Sequence, residues 1–154
     1  MSKSMFALAM TLASTCATSG VAQEAYGTPA EARAMVERAA AALKDNETNA
    51  LKAFNNKDDK DFHYGDLFVF CINVADAKFT ANVNPDLIGL DVRTLEKKDN
   101  PFGVRIYDVI NNTPEGRIVV VGYEAPRPGT TLPVPKVSYV TRVGNQGCGV
   151  GFFQ

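Results

Sequence analysis

Apolar and polar side chains alternate in the C-terminal part of the chain. In residues 135–143 nearly every second position is apolar or aromatic, which is the period of a β-strand with one face on a core. Residues 144–147 are polar with glycine at both ends, which favours a turn, and residues 148–153 are a short apolar run. The pattern predicts a C-terminal hairpin, which needs partner strands and a covering helix from the rest of the chain.

A long amphipathic helix is predicted near the other end. Thr28, Pro29 and Glu31 have the spacing of a capping box with proline at the first helical position. Apolar residues then recur at helical spacing from Ala32 to Leu43. A second, shorter amphipathic segment follows over residues 47–54.

The middle of the chain predicts three further strands and one helix. Residues 67–74 favour a strand buried on both faces, residues 79–83 a return strand, residues 101–110 a helix and residues 117–124 a third strand. This order predicts an α+β domain with a mostly antiparallel five-stranded sheet. We expect the N-terminal helix to cover one face of that sheet. The crossover, residues 84–116, should enclose a pocket on the other face.

The first 22 residues have a different composition. Lys3 precedes a short apolar run, small residues follow, and Gly20-Val-Ala22 has small side chains where a signal peptidase needs them. We predict a secretory signal peptide cut after Ala22, which leaves residues 23–154 as one domain in the periplasm or outside the cell. The alternative is a buried N-terminal helix.

Charge and hydropathy exclude two classes of partner. The formal net charge of -1 gives no electrostatic attraction for nucleic acid. No apolar run reaches the roughly 18 residues that a membrane span requires. We therefore expect a protein that is neither bound to nucleic acid nor embedded in a membrane.

The cysteines leave two hypotheses open. Export would remove Cys16 and leave Cys71 and Cys148 as a pair in an oxidising compartment. Both lie in apolar strand-like runs, so they form either a disulfide between the first and last strands or two buried free thiols. Since no histidine cluster or further cysteine accompanies them, no metal site is expected.

Sequence signals for catalysis are absent. The single histidine, His63, ends a charged loop, and no glycine-rich phosphate loop, serine elbow or spaced carboxylate pair occurs. We expect neither an enzyme nor a cofactor.

Polar side chains within apolar segments are candidate ligand-binding residues. Lys136 and Ser138 fall on one strand face, and Tyr123 is within cross-strand reach on the preceding strand. Arg105 and Tyr107 on the crossover helix and Asn82 at the end of the second strand could add to the same pocket. Cations and hydroxyls around an apolar pocket suit a small carboxylate, amine or amide.

A structural alternative exists for several of these residues. Lys136 could extend to solvent at a sheet edge, Arg105 could form a surface salt bridge, and Tyr139 could be an ordinary core residue. These alternatives stay open at the level of sequence.

Several short motifs occur in a characteristic order between about residues 30 and 154. They are Leu67-Phe-Val-Phe70, Asn84-Pro-Asp-Leu-Ile-Gly89, Pro101-Phe with Arg105, Gly122-Tyr123, Pro135-Lys-Val-Ser-Tyr-Val140 and the Gly-x-Gly-x-Phe end. In their order and spacing these motifs resemble a single Cache domain, an extracytoplasmic sensor module with a PAS-like sheet, in a free-standing form.

The resemblance implies binding of a small molecule such as an organic acid, on behalf of a chemoreceptor or histidine kinase. It implies a pocket formed by Tyr123, Lys136, Ser138 and Tyr139, with Asn82 and Arg105 nearby. The chain departs from the family pattern at Asn82-Val83, where His-Pro is common, at Asp99-Asn100, where Asp-Gly is common, and in having no tryptophan.

Because no membrane span or signalling helix follows Gln154 in this sequence, we expect a separate membrane partner. The alternative is a structural or protein-interaction module with a vestigial pocket. Either form could dimerise through the N-terminal helix.

Overall fold

The computed structural model describes residues 26–95, 102–127 and 129–154. The predicted signal peptide, residues 1–22, and the Asp99-Asn100 pair lie outside the described residues. The described helices are α1 (Pro29–Asp45), α2 (Glu47–Phe54) and α3 (Phe102–Asn111), with single-turn helices at Pro85–Leu87 and Val92–Thr94. The described strands are β1 (His63–Tyr64), β2 (Leu67–Asn73), β3 (Phe79–Ala81), β4 (Ile118–Pro126), β5 (Pro133–Val143) and β6 (Gln146–Phe153).

Helix α1 begins at the capping box that the sequence predicts. The Glu31 amide donates to Thr28 Oγ1 at 3.2 Å, and the Thr28 amide donates to Glu31 Oε2 at 2.8 Å. Both bonds satisfy amides that a helix start would otherwise leave without partners. The buried stripe of α1 is Ala32, Met35, Val36, Ala39 and Leu43.

The strands form one antiparallel sheet in the order β1-β2-β6-β5-β4, and β3 also pairs with β2. The α+β class and the antiparallel sheet are confirmed, but the described sheet has six strands instead of five. The additional strand, β1, consists of two residues that pair with Phe68 and Leu67. A two-residue strand is too short to produce a periodic pattern, so it could not be predicted from the pattern of apolar and polar residues.

The two faces of the sheet have different coverings. On the helix side, α1 and α2 pack on alternate strand residues, among them Val69, Cys71, Cys148 and Val150. On the cavity side, α3 and the crossover pack on the intervening residues, among them Phe70, Ile72, Val121 and Val140. The sheet therefore lies between two layers, as the order of elements predicts.

Glycines occupy the cavity side of β6. Gly147 and Gly149 are the register partners of Ile72 and Phe70 on β2. A Cβ on Gly147 would lie 2.0 Å from Ile110 Cγ2, and a Cβ on Gly149 would lie 2.6 Å from Phe70 Cζ. The missing side chains on β6 thus make room for large side chains from β2 and α3.

Cys71 and Cys148 form a disulfide on the helix side. They are direct register partners on β2 and β6, with Cα atoms 4.1 Å apart. The sequence left a disulfide and two free thiols as alternatives, and the structure contains the disulfide.

None of the helices in the described ranges is both long enough and apolar enough to cross a membrane.

Candidate ligand-binding site

A cavity of about 500 Å³ lies between the cavity side of the sheet and the crossover. Its volume is within the range of small-molecule sites. Its aromatic lining comes from four strands and α3, and consists of Phe68, Phe70, Phe79, Phe102, Tyr123 and Phe153. The cavity can therefore enclose a ligand with an apolar body.

Lys136 brings a positive charge to this aromatic surface. It lies on β5 between its register partners Tyr123 on β4 and Phe153 on β6, and it is only 8% exposed. Its ammonium nitrogen is 4.4 Å from the ring centroid of Phe153 and 5.3 Å from that of Phe68. Cation–π contacts of this kind partly offset the loss of hydration.

No ion pair to Lys136 is found within the described parts of the chain. Burial lowers the pKa of Lys136 to about 8, and the negative charge of Asp66 opposes that lowering. The cavity therefore holds a cation whose charge no neighbouring carboxylate neutralises by direct contact.

Tyr123 and Ser138 form a buried hydroxyl pair beside Lys136. Tyr123 Oη and Ser138 Oγ are 2.9 Å apart, and the Tyr123 ring stacks on Phe102 with centroids 5.7 Å apart. Burial raises the pKa of Tyr123 to about 12, with the Ser138 hydrogen bond opposing the change. Tyr123 therefore stays protonated near neutral pH and can donate a hydrogen bond.

Gly151 explains how these groups fit together. A Cβ at this position would lie 2.7 Å from both Lys136 Cε and Ser138 Oγ, and 3.2 Å from Tyr123 Oη. Only glycine leaves the space that the three polar side chains occupy.

Asp66 places a carboxyl group at the same cavity. It immediately precedes β2, and its Oδ1 accepts a hydrogen bond of 2.6 Å from the amide of Gly27, just before α1. Its other oxygen, Oδ2, is buried and has no hydrogen-bond partner in the described structure. Asp66 thus lines the cavity and also holds the backbone just before α1 through its hydrogen bond from Gly27.

Arg127 lies at the end of β4 and also lines the cavity. Its guanidinium carbon is 4.7 Å from the ring centroids of both Tyr26 and Phe153. One Arg127 nitrogen donates to the Gln154 carbonyl oxygen at 3.2 Å. This stack joins the chain before α1 to the end of β6 beside the cavity.

The fold of this chain is similar to the folds of several solved structures, among them the following three. A periplasmic sensor domain of a chemotaxis protein has a TM-score of 0.55 and 22% identity, over 79% of this chain and 87% of that one. A methyl-accepting chemotaxis protein from Vibrio parahaemolyticus has a TM-score of 0.61 and 14% identity, over 80% and 86%. A Cache chemosensory domain described for carboxylic acid recognition has a TM-score of 0.55 and 19% identity, over 79% and 85%.

This chain has the fold of a single Cache-like sensor domain. No protein-family model matches it, and no curated protein matches its sequence. The similarity is thus one of structure.

The Cache fold brings three of the predicted site residues to the cavity surface: Tyr123, Lys136 and Asn82. Ser138 lies directly behind Tyr123 and is fully buried. The Asn82 side chain caps the next turn, because its Oδ1 accepts from the Asn84 amide at 2.9 Å.

Tyr139 lies on the helix side, which corrects its predicted place in the pocket. Its ring centroid is 5.6 Å from that of Phe152, and the Arg33 guanidinium carbon lies 5.9 Å above it. Successive side chains of a strand point to opposite faces, so a residue next to Ser138 cannot share its face. Tyr139 is partly buried there and packs against the helix-side core, which is nearer to the structural alternative than to a place in the pocket.

Two predicted residues of α3 are not among the residues that line the cavity, which corrects their predicted role. Arg105 donates to the Gly122 carbonyl oxygen at 3.1 Å, and Tyr107 Oη donates to the Val74 carbonyl oxygen at 3.0 Å. The face of α3 that meets the cavity carries Phe102 and Ile106, which are one helical turn apart.

Sequence reasoning missed most of the cavity lining. Phe68 and Phe70 lie two apart on β2, so the alternation of that strand could have placed them on one face. No comparable signal existed for Asp66 or Arg127, since both lie at strand ends and reach the cavity through tertiary packing.

In the described ranges no group of histidine, cysteine or acidic side chains is arranged to hold a metal ion.

Proposed function

We propose that this chain is a sensory domain that binds a small carboxylate in its cavity and does not catalyse a reaction. The observation that carries the proposal is Lys136, a cation buried against aromatic rings with no ion-pair partner in the described structure.

The energetics of the site favour an anionic ligand. A buried ammonium group gains most from a charged acceptor, because a charge-assisted hydrogen bond is strong where water is excluded. The Tyr123 hydroxyl is adjacent, and the surrounding rings accept an apolar ligand body. One solved neighbour is described for carboxylic acid recognition, which agrees with this chemistry.

We further propose that the protein acts outside the cytoplasm, after removal of residues 1–22. The signal-like N-terminus and the disulfide between Cys71 and Cys148 support export. A separate membrane receptor or histidine kinase would read the bound state, and dimerisation through α1 stays a prediction.

The first test is a thermal-shift screen of the purified protein against small carboxylates, amines, amides and purines. A ligand at 100 times its Kd stabilises a protein by about 2.7 kcal/mol, which corresponds to several degrees for a domain of this size. We expect a carboxylate to give this shift. Lys136→Met should abolish it, whereas Lys52→Met, a change at an exposed lysine of α2, should leave it intact.

A screen in which folded protein responds to no compound would contradict the proposal. That result would favour the alternative, a structural or protein-interaction module with a vestigial pocket.

A further inference from the structure

Asp66 Oδ2 is a buried acceptor that the protein itself does not use. Oδ1 of the same group already accepts from the Gly27 amide, and no described donor reaches Oδ2. A buried carboxyl oxygen without a hydrogen bond is costly, because its desolvation is not compensated. Because Asp66 is one of the residues that line the cavity, this atom indicates that a molecule bound in the cavity supplies the donor.

The other polar groups at the cavity have partners of their own. The Asn82 and Asn84 side-chain oxygens accept from the amides of Asn84 and Asp86 in successive turns. Arg127 donates to the C-terminal carbonyl and stacks on two rings. Asp66, through Oδ2, and Lys136, through its ammonium group, are therefore the two charged side chains of the described lining that offer a group with neither a hydrogen bond nor an ion pair.

Asp66 and Lys136 present opposite chemistry to the same cavity. They are close enough for the charge of Asp66 to act on Lys136, yet they do not form an ion pair with each other. A plain carboxylate would satisfy Lys136 and bring a second negative charge towards Asp66. A ligand with a carboxylate and a separate donor would satisfy both.

We propose that the ligand is an amino or hydroxy acid, a proposal that rests on the proposed function. Its carboxylate binds Lys136, and its ammonium or hydroxyl group donates to Asp66 Oδ2. An ammonium group is the stronger candidate, since a zwitterion matches one negative and one positive group in the site.

The test is isothermal titration of the purified protein with pentanoate and with its amino and hydroxy derivatives substituted at carbons 2 to 5. This series keeps the acid and the chain length and moves only the donor. We expect at least one derivative to bind about tenfold or more tightly than pentanoate, as a hydrogen bond to a charged group would give.

Asp66→Asn is the matched variant. Its amide oxygen can still accept from Gly27, and its NH₂ group replaces the free acceptor by a donor. We expect the derivative to lose its advantage over pentanoate in this variant. The comparison of ligands on the unchanged protein decides the question even where the variant does not fold.

The outcomes separate the two proposals. If pentanoate binds in a Lys136-dependent way and no derivative binds more tightly, the assignment of Asp66 is overturned and the carboxylate site stands. An advantage that persists in a folded Asp66→Asn protein also overturns the assignment. If no acid of the series binds, both the assignment and the carboxylate site fail.

Discussion

The two faces of β6 show how one strand serves both stability and binding. On the helix side it presents Cys148, Val150 and Phe152, which are buried against α1 and β2. On the cavity side positions 147, 149 and 151 are glycine, and Phe153 follows at the end of the strand. The first face fills its own space, and the second leaves space for side chains of neighbouring elements and for the cavity.

The difference extends to polar groups. The cavity side holds Lys136, Tyr123 and Ser138 in positions where burial shifts pKa values or requires a hydrogen bond. The helix side buries two polar side chains, Thr141 and Gln146, but none of its described buried residues is charged, and the face is otherwise closed by apolar packing and by the disulfide. We therefore expect changes on the helix side to act on stability and changes on the cavity side to act on binding.

Removing the disulfide should have the largest effect. It closes a separation of 77 residues, and the chain-entropy model gives about 4.5 kcal/mol for a loop of this length. We expect the double substitution of Cys71→Ala and Cys148→Ala to lower the free energy of unfolding by about that amount. Chemical denaturation followed by circular dichroism measures it.

Ligand binding provides the control for this experiment. Under conditions where the double variant is folded, its Kd for a carboxylate identified in the screen should stay within about threefold. A loss of affinity as large as that of Lys136→Met would contradict the separation of roles between the two faces.

Lys136 should make stability depend on pH. Its folded pKa is lowered from 10.5 to about 8, so between these values the unfolded chain binds more protons than the folded one. The contribution of Lys136 to the free energy of unfolding therefore increases by about 3 kcal/mol as the pH rises from 8 to 10.5. Unfolding free energies of the wild type and Lys136→Met across this range measure the change.

The comparison of the two proteins isolates this group. Tyr123, whose folded pKa is about 12, affects both proteins alike above pH 10. The free energy of unfolding of Lys136→Met should exceed that of the wild type most at pH 7. This difference should shrink at higher pH, as the wild-type lysine loses its proton. A difference that does not vary with pH would mean that the lysine is hydrated in solution.

The fold could be predicted because its determinants are local. The capping box at Thr28, the alternation in β5 and the turn after Val143 each specify one element without reference to the others. The pairing of Lys136 with Tyr123 followed from the same alternation. Tyr139 was misplaced because the alternation was not applied to it.

The rest of the cavity depends on packing between distant segments. Asp66 reaches it because its carboxyl group is held by Gly27, 39 positions earlier in the chain. Arg127 is positioned by rings that come from both ends of the described chain. A hydrophobic pattern carries no information about such contacts, since it reports only which face of an element is buried.

Gly149→Ala should have the smallest effect and should separate the two faces most finely. The added Cβ would lie 2.6 Å from Phe70 Cζ and 2.7 Å from Val140 Cγ1, so the Phe70 ring has to move towards the cavity that it lines. Overpacking lowers the free energy of unfolding, and the smaller backbone entropy of alanine in the unfolded chain offsets part of this loss. The net loss of stability should be about 1 kcal/mol. We expect a matching loss of carboxylate affinity in calorimetry.

Gly122→Ala on β4 is the control, because a Cβ there meets no atom within 4 Å. If Gly149→Ala and Gly122→Ala have the same stability and the same carboxylate affinity, the glycines of β6 do not shape the cavity.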